Sequence, residues 1–299
     1  MGFELCHPAV NFLYFAAVLT GMIAFQHPVF LAISFFCAVA YSIKRRGIKA
    51  AIFDAALLPF VAVFAWYYSR FHHFGVTVLE RNFLGNNMTL ESLVYGLVLG
   101  FVIAGVIIWL GCVFHIFTTD KVVYLFGKVS PRLSLFLAIL LRMCPRIGRE
   151  AKRINMAQRG IGRGVDQGNV FQRLKNAIRI FSMLITWMIA ALALLSDSMG
   201  SRGSSLRGRT AFSIYRFDNR DRSYVIAMFT CLTLTLMAVI LGETDMVYDP
   251  RIIWNPVTPL SCVFYAGYAV FCLMPLGLEL WTEYQFKKAR RASLSADTQ

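Results

Sequence analysis

Three Arg-Gly pairs stand where the chain could dock onto something else: Arg159-Gly160, Arg163-Gly164, and Arg202-Gly203 with Ser201 before it. A guanidinium carries five donors in a planar fork and stays charged, so it can pin the helix-end carbonyls or carboxylates of a partner at fixed geometry. Truncating one such buried interfacial charge typically costs about 2–5 kcal/mol, mostly through the partner left stranded. Just upstream, Arg142, Arg146, Arg149 and Arg153 recur at i+4, i+3, i+4, with Ile147 and Ile154 on the other side. That spacing predicts an amphipathic helix over 141–158. The plainest use of its basic stripe is anionic lipid, at about 1 kcal/mol per basic residue near a membrane surface. Breakers follow: Gly160, Gly162, Gly164 and Gly168 after this helix, and Gly200, Gly203 and Gly208 after the next apolar stretch.

Other chemistry is hard to find. No GxxxxGK[ST] loop occurs, so the chain should not hydrolyse nucleotide itself, and there is no HExxH or GxSxG. His7, His27, His72, His73 and His115 are scattered, and His72-His73 has no Cys or carboxylate at ligand spacing. Cys6, Cys37, Cys112, Cys144, Cys231, Cys262 and Cys272 show no CxxC and read as small apolar residues. Asp54, Glu91 and Glu279 fall near the ends of apolar runs, where a helix-end or helix-contact role is expected rather than an ion relay. No metal or cofactor is expected on this chain, and no catalysis.

The elements that must position those arginines are apolar. Of the 299 residues 58% are apolar and 15% charged, a balance that suits lipid rather than water as solvent. Spanning a bilayer takes about 20 apolar residues as helix. Six runs qualify: 8–25, 28–43, 50–68, 90–117, 224–241 and 259–281, the second being short. Residues 118–222 interrupt them with a long basic region. Gly96, Gly100 and Ala104 put small residues on one face of the fourth span, where a helix of this chain or of another can come close.

Charge fixes the expected orientation. With both termini inside, segments 44–49, 118–222 and 284–299 carry 27 of the 30 Lys and Arg, leaving Arg70, Arg81 and Arg251 outside. The reverse arrangement violates the positive-inside rule. Trp66, Tyr67, Tyr68 and Trp254 then mark the outer boundary, and Trp281 and Tyr284 the inner one. The apolar run 177–195 is long enough to pass as a seventh span. Crossing there would move Arg202, Arg207, Arg209, Arg216, Arg220 and Arg222 outside, so a helix over 170–199, about 45 Å long, is expected in or under the inner leaflet.

Over 142–222 the sequence resembles a known family. PRIGREAKRINMAQRGIGRG, then LLSDSMGSRG, then GRTAFSIYRFDNRD are similar to the transmembrane T component of energy-coupling factor (ECF) transporters, prokaryotic ABC-type importers of vitamins and transition-metal ions. The resemblance implies two long coupling helices, each ending near an Ala-Arg-Gly signature that inserts into one of two ATPase subunits. It implies also a membrane-embedded S component that binds substrate and is reoriented by their motion. Here the second signature reads Ser201-Arg202-Gly203, serine in place of alanine. The first is either Arg159-Gly160 or Arg163-Gly164, and Arg163 lies nearer the expected helix end. Six spans exceed the five common in the family, and the resemblance gives 259–281 no role.

The expectation is therefore an all-α, multi-pass protein of a prokaryotic plasma membrane. Transmembrane helices occupy 1–117 and 223–283, a coupling-helix region 118–222, and a basic tail 284–299. It would be non-catalytic, with ATP and Mg held by its two ATPase partners, a separate S component, and no nucleic acid. A membrane protein whose basic loop binds anionic lipid and a stand-alone carrier are the alternatives.

Overall fold

The computed structural model describes residues 2–72, 74–81, 87–127, 130–203, 215, 217–244, 246–253 and 258–296. His73, Arg207, Gly208, Arg209, Thr210, Arg216 and Trp254 lie outside the described residues. The helices are α1 (Pro8–Ala24), α2 (Pro28–Arg46), α3 (Ile48–Phe71), α4 (Leu90–Ile116), α5 (Thr119–Gly127), α6 (Pro131–Gly160), α7 (Val170–Ser201), α8 (Asn219–Ile240) and α9 (Pro259–Ala296). One antiparallel ribbon joins α3 to α4: β1 (Val78–Arg81) pairs with β2 (Asn87–Thr89). Among the described residues the fold is all-α apart from this ribbon and an isolated bridge between Val247 and Ile253.

Two compact units emerge. The first comprises Met1–Thr118 with Tyr215–Gln299, and the second Thr119–Ile214. In the first, α4 packs on α1, α2 and α3, while α9 packs on α2 and α8. In the second, α6 packs on α5 and α7.

Lipid offers no hydrophobic drive between helices, so packing and hydrogen bonds must hold such a bundle together. Its core is rich in rings: Phe3, Tyr14, Phe15, Phe30, Tyr41, Trp109, Tyr268 and Phe271 are all buried. Tyr14 and Phe271 lie with centroids 5.3 Å apart, and Phe30 meets Tyr268 edge-on at the same separation. Polar tips are satisfied inside: Trp109 Nε1 donates to Ser34 Oγ (3.2 Å) and the Tyr14 hydroxyl to the carbonyl of Cys272 (3.0 Å). The small stripe of α4 is filled from within the chain. A Cβ on Gly96 would lie 3.1 Å from the Ala65 backbone, and one on Gly100 would lie 3.0 Å from Val61 Cγ1, both on α3. Ala104 is wholly buried in the same core.

Both N-terminal spans start alike. His7 and His27 each cap a helix whose first residue is proline, and each Nδ1 accepts from the backbone N–H two residues on, at 3.3 Å. Proline suits that position because its missing N–H would be unpaired there anyway. Two of the carboxylates flagged at span ends, Glu91 and Glu279, prove to be ties. Glu91 is buried and accepts from the N–H of Thr77 (3.2 Å), fastening the loop before β1 to the start of α4. Arg45 lies 3.4 Å from Glu279 and 2.7 Å from Glu4, and the Tyr41 hydroxyl donates to Glu279 (3.3 Å). Asp54 is buried, with Ser42 and Arg46 as its polar neighbours.

Several boundaries differ from the sequence expectation. The short run 133–141 and the basic stretch after it form one helix, α6, with Pro145 inside it. Proline there removes one intrahelical bond without stopping the helix. Arg220 and Arg222 belong to the first turn of α8, because Asp218 before them and Asp221 between them form a capping box. The tail beyond 284 is helical to Ala296, since neither Gly nor Pro follows Gly277 and Glu283 sits four residues before Lys287.

By length and composition six helices can cross a membrane: α2, α3, α4, α7, α8 and the Pro259–Arg291 part of α9. The number equals the six expected, but the membership differs. At 17 residues α1 is shorter, about 25 Å, while α7 with 32 residues reaches about 48 Å. Packing separates the two: α1 lies in the bundle unit, and α7 lies with α6 in the other.

Candidate docking ends of two long helices

α6 ends in a complete Schellman motif. The Arg163 N–H donates to the Gln158 carbonyl (2.9 Å) and the Gly162 N–H to that of Arg159 (3.0 Å), with Gly162 at φ +76°. α7 closes the same way as far as it is described: Gly203 has φ +73° and its N–H donates to the Gly200 carbonyl (3.0 Å). A left-handed residue in each position turns the chain sharply off the helix axis, which glycine does at least cost.

These caps show how the arginines are placed. Gly162 and Gly203 are equivalent, so Arg202 corresponds in position to Ile161, the residue closing α6. Arg159 sits in the last turn of α6, and Arg163 lies just past the turning glycine. The expectation that Arg163 is nearer the helix end is therefore corrected: α6 stops at Gly160, which makes Arg159 the helix-end residue. Gly160 and Gly164 are not left-handed, whereas Gly203 is, so neither first-signature pair repeats the geometry of Arg202-Gly203.

The two first-signature arginines also differ in what they touch. Arg159 is ion-paired with Asp166. The Arg163 side chain is exposed and has no hydrogen bond or ion pair among the described residues; that of Arg202 is the same. The Ser201 hydroxyl turns back onto the Ser198 carbonyl (2.9 Å).

The connection from α6 to α7 is held by hydrogen bonds along its length. Asn176 of α7 is buried and its Nδ2 donates to the Gly164 carbonyl (3.1 Å). Gln167 Oε1 accepts from the Gly164 N–H (3.0 Å), and Asn155 Oδ1 from that of Val165 (3.1 Å). Gly164 is packed so closely on the Arg159 side chain that a Cβ would collide with it. Asn169 and Gln172 then form the capping box that opens α7. Gly162 was read only as one of four helix breakers, and Asp166 and Asn176 were not singled out from the sequence. The glycine-rich run past the last basic residue and the Asn-x-x-Gln spacing were the signals available.

Along α7, Phe171, Leu174, Ile178, Phe181, Ile185 and Leu192 are exposed at spacings of three, four and seven. A stripe of that period marks a helix face that expects an apolar partner. Among the described residues, no group of three or more His, Cys, Asp or Glu side chains could hold a metal ion.

No family model matches the chain. Three curated relatives do. The energy-coupling factor transporter transmembrane protein EcfT 1 of Listeria monocytogenes is 32% identical over 110 residues. EcfT of Streptococcus thermophilus is 30% identical over 111 residues, and that of Bacillus selenitireducens 31% over 107. Each match takes in 36% of this chain and about two fifths of the relative's length. Over that stretch the chain is similar to EcfT, the transmembrane protein of energy-coupling factor transporters.

Proposed function

We propose that this chain is the non-catalytic transmembrane coupling subunit of an ECF importer in a prokaryotic plasma membrane. The bundle unit spans the bilayer with both termini inside, an orientation supported by the 27 basic residues gathered on that side. Residues 119–214 face the cytoplasm and present the ends of α6 and α7 to two ABC-type ATPase subunits, identical or different. Those partners hold ATP and Mg. The exposed apolar stripe of α7 meets a membrane-embedded S component, and that component selects the cargo, a vitamin or a metal ion.

The observation that carries this reading is the pair of matched helix ends. Two long helices stop at left-handed glycines, Gly162 and Gly203, and each leaves an exposed arginine beside its end. Arg163 serves as the first contact and Arg202 as the second, while Arg159 is engaged by Asp166 inside the chain. Closing of the ATPases on ATP would move the two ends and, through them, the helices that carry the S component.

The test is co-purification in detergent with the ATPases encoded beside this chain. Wild-type protein should co-elute with both, and Arg202→Glu should lose them. A folded wild-type chain that retains no ATPase would overturn the proposal.

A further inference from the structure

The basic stripe of α6 is left unused by that reading. Arg142, Arg146 and Arg149 are exposed, and none has a carboxylate partner among the described residues; Arg153 is drawn to Glu150 at 3.4 Å. Three unpaired guanidiniums within two helical turns, with neighbours about 5–6 Å apart at Cβ, repel one another unless an anion lies across them.

The stripe also has an apolar flank. Arg146 stands over the Trp187 ring of α7, 5.4 Å from its centroid. Beside that pair runs a groove of about 300 Å³ lined by Arg146, Trp187, Ala190, Ala191, Leu194 and Leu195. One end is cationic, with an indole, a ring that favours the membrane–water interface. The remainder is aliphatic. A soluble anion would use only the charged end. An acidic protein face would use the charges and leave the aliphatic groove empty.

We infer that the α6–α7 groove at Arg146 and Trp187 is a binding site for one anionic phospholipid of the inner leaflet, its phosphate held by Arg142, Arg146 and Arg149 and its acyl chain lying along Ala190–Leu195. Bound there, the lipid fastens residues 119–214 to the membrane surface while the helix ends stay free for partners. The inference rests on the inward placement of these residues, not on the ATPase contacts.

The full chain purified in detergent is titrated with phosphatidylglycerol and with phosphatidylcholine, and bound lipid is read by native mass spectrometry. Phosphatidylglycerol should bind preferentially. Arg146→Gln should weaken it about fivefold, and R142Q/R146Q/R149Q together about a hundredfold. R142K/R146K/R149K should keep most of the preference, which separates loss of charge from loss of fold. Removing three charges from the tail, K287Q/K288Q/R291Q, should change it far less. Equal binding of the two lipids, or an equal loss from the tail variant, overturns the site. So does displacement by inorganic phosphate as effective as by the lipid, which would mark a free-anion site. Unchanged lipid binding with lost ATPase co-elution in the triple Gln variant would assign the stripe to a protein and overturn it too.

Discussion

Gly162 and Gly203 occupy the same place at the ends of α6 and α7, with φ of +76° and +73°. An alanine forced into that conformation costs about 1–2 kcal/mol. Gly162→Ala and Gly203→Ala should therefore redirect the chain at each end and reduce ATPase co-elution, with little effect on bundle melting. Gly160→Ala is the control. Gly160 is helical, with nothing within 4 Å of an added Cβ, so its variant should behave as wild type.

Asp166 withholds Arg159 from other partners. If Arg163 is the contact, Asp166→Asn should leave ATPase co-elution intact and Arg163→Glu should abolish it. Co-elution surviving Arg163→Glu but lost in Arg159→Glu would move the first contact to the last turn of α6. An exposed pair of this kind is worth under about 1 kcal/mol, so Asp166→Asn should barely alter melting.

Gly96 and Gly100 let α4 come within van der Waals reach of the α3 backbone. The atoms an added Cβ would meet at Ala65 are Cα and the carbonyl oxygen, which cannot swing aside. Gly96→Val should lower thermal stability in detergent by about 1–3 kcal/mol. Gly277→Val on α9, where nothing lies within 4 Å, should be far milder.

How far these relationships could be read from sequence depends on their range. Apolar runs and basic gaps are properties of whole segments, so the bundle helices and the interrupting region were legible. The use of 177–195 was not settled by hydropathy, because a helix apolar enough to cross can equally lie beside α6. Gly162 was hidden by its neighbours: two Arg-Gly pairs drew attention, while the residue that turns the chain stands between them. The paired His-Pro starts were passed over because each imidazole acts only on a backbone N–H two residues away, which leaves no spacing pattern. Glu279 was read as a helix-end or helix-contact group; it lies inside α9 as a contact, and its partners Arg45 and Tyr41 are distant in sequence.

Arg45 joins Glu4 to Glu279, and the Glu279 side chain is only 7% exposed. Arg45→Met should strand that carboxylate and destabilise the bundle by about 3–5 kcal/mol in a melting assay. Adding Glu279→Gln to it should recover much of the loss. A double variant no more stable than the single one would show that packing of the arginine stem, not charge, holds that corner.

His27 lies between α1 and α2, and burial holds its pKa below the usual 6.5 despite the opposing pull of Glu243. The unfolded chain then takes up its proton first as pH falls. This stabilisation is complete above about pH 6.5 and is lost progressively as pH drops toward the folded value. Protonation also removes the Nδ1 lone pair that caps α2. Melting temperature should fall between pH 7.5 and 5.5, and His27→Asn, which can cap without titrating, should flatten that slope.

The linker between α6 and α7 has one further consequence. Asn155 and Asn176 tie residues 165 and 164 to α6 and α7, and Gln167 closes on Gly164 within the linker, so the corner is braced from both sides. If Arg163 is the contact proposed above, a load on it would reach the start of α7 as torque rather than be dissipated in a flexing strap. The two helices would then act as a bell crank with a stiff elbow, the stroke at one tip being set by the arm lengths and not by the compliance between them.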